Sequence, residues 1–129
     1  MMFPDYHLHS AFSSDSDADI YKIIESAKSK GLSSICITDH YDMDFPVFPD
    51  EPELTFDLDT DRYYSYMSKI KEEISDSFDL RIGVELGVMP EITEKLTNYV
   101  HSHPELDFII ASSHLVDGYD PYRPEYFIG

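Results

Sequence analysis

SSICITDH, residues 33–40, is the stretch on which the reading of this chain turns. Ile35, Cys36, Ile37 and Thr38 make a short β-branched run, which predicts a buried strand, and the run ends in Asp39 and His40. Upstream, Ile20, Ile23, Ile24 and Ala27 recur at helical spacing, and Gly31 is a natural stop after Lys28 and Lys30. Before that helix, FPDYHLH reads as a strand ending at His7 and His9. Downstream, Tyr63, Tyr66, Met67, Ile70 and Ile74 form a second helical stripe, and LRIGVELGV is a third strand. Pro90 opens a third helix with Ile92, Leu96 and Val100 facing inward, and LDFIIAS is a fourth strand that delivers His114. The order β-α-β-α-β-α-β predicts an α/β fold, a parallel sheet of right-handed crossovers with helices outside.

Between the second strand and the second helix, residues 41–58 show no period. Pro46, Pro49 and Pro52 break the segment, and Phe45, Phe48 and Phe56 decorate it. A loop of that length is usually functional. The final stretch, VDGYDPYRPEYFIG, reads as loop and the start of another helix.

Composition bounds the function. The 129 residues suit one domain with its own core, and 42% hydrophobic content excludes a disordered polymer. The net charge of −17 repels phosphate backbones, so neither nucleic acid nor an anionic membrane is an expected partner. Bound divalent cations would offset part of that charge. The single cysteine, Cys36, is expected in the core. The start meets Pro4 and Asp5 without a basic region, which predicts no signal peptide, and no apolar run reaches the ~20 residues of a membrane span. A cytoplasmic protein is the expectation.

The unusual polar residues fall at the C-terminal ends of the predicted strands, the edge where α/β folds build their sites. In DYHLHSAFSSDSD, residues 5–17, His7 and His9 point to one face of a strand and Leu8 to the other. His40 closes the second strand, Glu85 interrupts the apolar third and His114 follows the fourth. Burying these groups without partners is costly, and a shared cation removes the cost. Asp15 joins them, although Asp17 and Asp19 are near and one of the three suits the helix cap. Asp39 either orients a ligand from behind or ends the strand, and His101 and His103 are expected to be solvated at the end of the third helix. Imidazole with carboxylate suits zinc, manganese or iron better than magnesium or calcium. Sites of two or more such ions activate water and clamp phosphoryl oxygens, so phosphoester hydrolysis leads. Amide or ring hydrolysis also uses His-x-His at a first barrel strand.

DYHLHSAFSSDSD, ITDH, GVELG and IIASSH, in this order and spacing, resemble the PHP (polymerase and histidinol phosphatase) family, and most closely its histidinol-phosphate phosphatases. The resemblance implies a distorted (β/α)7 TIM-like barrel with three metal ions at the strand ends. It implies a small phosphorylated metabolite as partner, with L-histidinol phosphate hydrolysed in histidine biosynthesis. Carried over by motif, His7, His9 and Glu85 hold a first ion, Glu85 and His114 a second, and Asp15 and His40 a third. Glu85 and His9 are the residues assigned to catalysis, and loop 41–58 is expected to border the substrate. Barrels of this kind run to ~250 residues. Residues 1–129 are therefore expected to be the N-terminal, truncated portion of a PHP domain, without the family's later histidine and Asp-x-His ligands. Four strands cannot close a barrel, so the first and fourth would offer open edges to a second copy or a missing half. Two rivals to the enzyme follow: a non-catalytic metal- or partner-binding half-barrel, and a PHP-type exonuclease, which the charge disfavours.

Overall fold

The computed structural model describes residues 3–128. Four parallel strands, β1 (Asp5–Leu8), β2 (Ser34–Tyr41), β3 (Asp79–Gly87) and β4 (Phe108–Ser112), lie in the order β1-β2-β3-β4. The crossovers are α1 (Ile20–Ser29), α2 (Thr60–Ile74) and α3 (Thr93–Ser102). This is the expected α/β half-barrel, in which each strand sits beside its sequence neighbour.

Helices α1 and α2 each start where a polar side chain takes up free amides. Asp19 caps α1 by accepting from Tyr21 N and Lys22 N, and Asp59 caps α2 by accepting from Arg62 N. The acid that caps the first helix is thus Asp19, which leaves Asp15 for other work. Pro90 opens a 3₁₀ turn, Pro90–Ile92, and α3 proper follows at Thr93.

The core lies between one face of the sheet and the helices. Ile35 and Ile37 of β2 and Leu80, Ile82, Val84 and Leu86 of β3 pack against Ile20, Ile24 and Ala27 of α1 and Tyr63, Met67 and Ile70 of α2. Full burial of side chains this size stabilises by about 1.5–3 kcal/mol each. The Tyr63 hydroxyl sits 2.8 Å from Gly83 O and 3.0 Å from Ile37 O and donates between them. Gly83 lets β3 and β4 approach, because a Cβ there would stand 2.5 Å from Phe108 O.

Two expected core positions move. Val100 is 42% exposed, and Tyr99 takes its place at 8%. The Tyr99 ring packs on Tyr41 at 5.0 Å and its hydroxyl shares a 2.8 Å hydrogen bond with Thr60, so burial keeps a partner for the polar tip. Tyr66 lies at the surface of α2 against Phe12. Cys36 is buried as expected, and desolvation pushes its thiol up to about 12. The last stretch forms a tight turn closed by a Val116–Tyr119 bridge and a 3₁₀ turn, Pro124–Phe127, and its final residue, Gly129, lies outside the described residues. No described helix is long and apolar enough to cross a membrane.

Candidate metal centre

The sheet register carries the site. Leu8 pairs with Ile37 and turns into the core, so His7 and His9 turn the other way, toward β3. His40 of β2 pairs with Glu85 of β3, and Ser112 of β4 pairs with Gly87, two residues before His114.

Glu85 is the focus. It is 2% exposed, and three imidazoles meet its two oxygens. His7 Nε2 and His9 Nε2 lie 2.7 and 2.9 Å from Oε2, and His114 Nε2 lies 2.9 Å from Oε1. Asp15 Oδ2 stands 3.4 Å from His40 Nε2 and 3.6 Å from His9 Nδ1. The rings of His9 and His114 flank that of His40 at 4.3 and 4.7 Å. All six candidate ligands (His7, His9, Asp15, His40, Glu85 and His114) therefore gather on one rim. Asp17 stays exposed outside it; His101 is exposed, and His103 pairs with Glu105.

The electrostatics follow from crowding. Burial alone would raise the Glu85 carboxyl, but the bonds from His114, His9 and His7 hold it far below the ordinary carboxylate range. Hydrogen bonds to Asp42 and then Glu85 raise the His114 imidazole to about 9, and the bond to Glu85 raises His9.

These residues fit divalent cations on three counts. Three groups offer ligand atoms within 4.8 Å of one another: His7, His9 and Glu85; His9, Asp15 and His40; His40, Glu85 and His114. The donor set is imidazole nitrogen and carboxylate oxygen, which suits zinc, manganese and iron. Two atoms behind the rim, His40 Nδ1 and Asp42 Oδ2, are buried without a hydrogen-bond partner.

The cavity over the rim measures about 830 Å³. Phe45, Leu54 and Phe56 of the long loop form one wall, and Asp120, Pro121 and Tyr122 form the other. No lysine or arginine is among its lining residues. An anion entering it would meet imidazoles or cations for charge balance, and nothing else.

Sequence reasoning overlooked three residues here. Asp42 Oδ1 lies 2.6 Å from His114 Nδ1. The alternation that paired His7 with His9 also puts Asp42 on the face of His40, and that signal was available. Ser10 and Ser13 left none. Asp39, fully buried, accepts from Ser10 N and Ser10 Oγ at 2.6 Å and from Ser13 Oγ at 2.9 Å, across 26 to 29 residues of chain. Ser13 Oγ in turn accepts from His40 N. Asp39 thus acts from behind, by fixing the turn that follows His9, and among the described residues no imidazole donates to it. Burial pushes its carboxyl up, and the serine donors offset part of that shift.

Known proteins resemble this chain in sequence and fold. The histidinol-phosphatase of Lactococcus lactis is 32% identical over 118 residues, covering 92% of this chain and 41% of that protein. A Clostridium acetobutylicum protein named "Probable histidinol-phosphatase" is 35% identical over 119 residues, covering 92% and 42%. The chain spans about two fifths of the length of these curated relatives. The crystal structure of the Lactococcus lactis histidinol phosphate phosphatase, complexed with zinc, L-histidinol and phosphate, superposes with a TM-score of 0.81 at 31% identity, over 92% of this chain and 42% of that one. A Listeria monocytogenes structure shares the fold, with a TM-score of 0.76 at 17% identity over 88% and 45%. The family model of the PHP domain matches residues 5–127, which takes in every residue of the rim from His7 to His114, and by that match the chain belongs to the PHP domain family.

Proposed function

We propose that the chain carries the metal-binding rim of a phosphoric monoester hydrolase that converts L-histidinol phosphate and water to L-histidinol and phosphate. The observation that carries the reading is the convergence of His7, His9 and His114 on the buried carboxylate of Glu85, within 2.7–2.9 Å, at the C-terminal ends of parallel strands. The Lactococcus lactis relative, with zinc, L-histidinol and phosphate bound, supports the choice of substrate.

Up to three cations, zinc, manganese or iron, would be held: one by His7, His9 and Glu85, one by Glu85 and His114, one by Asp15 and His40. Bound there, they would lower the pKa of water and offset charge on the phosphate. The chain's own residues do the rest. Glu85, with Oε2 toward His7 and His9 and Oε1 toward His114, would serve two cation positions. His9 lies between the two acids, with Nε2 2.9 Å from Glu85 Oε2 and Nδ1 facing Asp15 at 3.6 Å. Phe45 and Phe56 exclude water from one side of the cavity. The acidic surface repels polyanions, so a small monoester suits the rim better than a nucleic acid. A cytoplasmic location goes with this biosynthetic role.

The test is phosphate release from L-histidinol phosphate by protein supplied with zinc or manganese. Release that disappears in Glu85→Ala supports the reading. No release, together with unchanged metal content in Glu85→Ala, overturns it. A second reading is favoured by the partly exposed Tyr6 and Phe108 on the sheet face opposite the helices, and by β1 and β4 as sheet edges. It is a metal-binding half-barrel that docks a second copy or the remainder of a barrel there and turns over nothing alone. Metal uptake without phosphate release would select it.

A further inference from the structure

We infer that Asp42 is a positioning residue for two candidate ligands at once: its carboxylate stands behind His114 and His40 and turns the Nε2 of each toward the cation positions. The inference rests on the metal reading of the rim and extends it to a residue behind the ligands.

The geometry is specific. Asp42 follows β2 by one residue, and its amide donates to Phe56 O at 2.9 Å, which fixes the backbone. Its Oδ1 accepts from His114 Nδ1 at 2.6 Å while His114 Nε2 faces Glu85. A proton held at Nδ1 leaves the Nε2 lone pair free for a cation, which is how outer carboxylates fix histidine ligands elsewhere. Its Oδ2 faces His40 Nδ1 at 3.6 Å, and His40 Nε2 faces Asp15. That separation is too long for a hydrogen bond. Both atoms are buried without a hydrogen-bond partner, and Glu85 Oε2 lies farther from His40 Nδ1 than Asp42 does, at 3.8 Å.

The neighbouring strand makes room for this carboxylate. A Cβ at Gly87 would stand 1.9 Å from Asp42 Oδ1. The three atoms nearest to such a Cβ all belong to Asp42, so a side chain there would push the carboxylate off His114. Asp42 caps no helix and pairs with no lysine or arginine among the described residues, so a merely structural role leaves its placement unexplained.

The experiment compares the unaltered protein with Asp42→Asn and Gly87→Ala. Zinc affinity is measured by competition with a chromophoric chelator, and the visible absorption bands of bound cobalt report ligand geometry. Circular dichroism checks the fold. Both variants should bind zinc about ten- to a hundredfold more weakly and shift the cobalt bands. In the unaltered zinc-loaded protein, nitrogen-detected NMR should find the His114 proton on Nδ1. Zinc affinity and cobalt bands unchanged in both variants, or a proton on Nε2, would overturn the inference while leaving the metal reading intact. An unaltered protein that takes up neither zinc nor cobalt would overturn both.

Discussion

The two sides of the cavity are built by different physics. The inner rim hangs on strands: His7, His40 and Glu85 are fixed by the register of β1, β2 and β3, and the layer beneath them is closed core. The outer wall hangs on loops. Phe45, Phe48 and Phe56 pack edge to face at 4.9 and 5.9 Å, and Phe56 adopts φ of 48°, a left-handed conformation that costs a bulky residue about 1–2 kcal/mol. That strain places the Phe56 ring 4.8 Å from His40. Across from it, Tyr122 is 96% exposed. A rim set by the sheet changes only when the fold changes, whereas a wall set by loop contacts can be retuned residue by residue. Under the proposed function, chemistry belongs to the rim and choice of substrate to the wall.

The sharpest break is Glu85→Ala. It leaves three imidazoles without their shared carboxylate, so zinc stoichiometry should drop by equilibrium dialysis and phosphate release should fall by at least about a hundredfold. Next in size is the layer below. Ile37→Ala or Met67→Ala opens a cavity under the strand ends and should cost about 2–5 kcal/mol in urea unfolding. If the rim is fixed by the sheet, such variants lose stability while the protein that remains folded keeps its metal affinity. A core variant that stays as stable but loses metal would blur the division.

Acidity tests the rim from another direction. His114 is held protonated to about 9 by Asp42 and Glu85, against 6.5 in the unfolded chain. A raised histidine pKa stabilises fully below the unfolded value and the contribution is lost as pH climbs through the folded one. The metal-free protein should therefore melt lower at pH 9 than at pH 6.5, by roughly 10 °C on calorimetry. Metal uptake must displace the same protons, so zinc affinity should rise over that window. A flat melting profile would mean that the imidazoles are not shared as the distances indicate.

What could be read from the sequence follows the same division. His7 with His9, and Glu85 inside an apolar strand, were legible because strand alternation makes a polar residue on a buried face conspicuous. The sheet order was legible because each crossover is a short helix with its own period. Asp42 is reachable by the same alternation but sits at the head of an aperiodic loop, beyond the strand end that the sequence predicts at His40. Tyr99 in place of Val100 was not legible, since hydropathy favours valine and only the contact with Thr60 reveals why the tyrosine turns inward. Ser10 and Ser13 act through Asp39, and no local pattern announces a partner that distant.

The wall offers the smallest and most selective effect, at Arg123. Its guanidinium reaches from the last loop to the long one, with Nη2 2.6–2.7 Å from both oxygens of Asp50, Nη1 2.7 Å from Glu51 Oε2, and the ring of Phe48 beneath it at 4.1 Å. These contacts hold the loop bearing Phe45 and Phe56 to the loop bearing Asp120 and Tyr122, the two walls of the cavity. None touches the rim. Arg123→Ala should therefore leave zinc affinity and kcat close to unaltered values and raise KM by roughly threefold to tenfold, the pattern of a lost binding surface. Protease cleavage within residues 45–58 should quicken in parallel. Arg123→Lys should recover little, because a lysine cannot match two carboxylates and an aromatic face with one planar group. Equal losses in kcat and zinc affinity would show that the wall supports the rim after all, and that the two sides of the cavity are one unit.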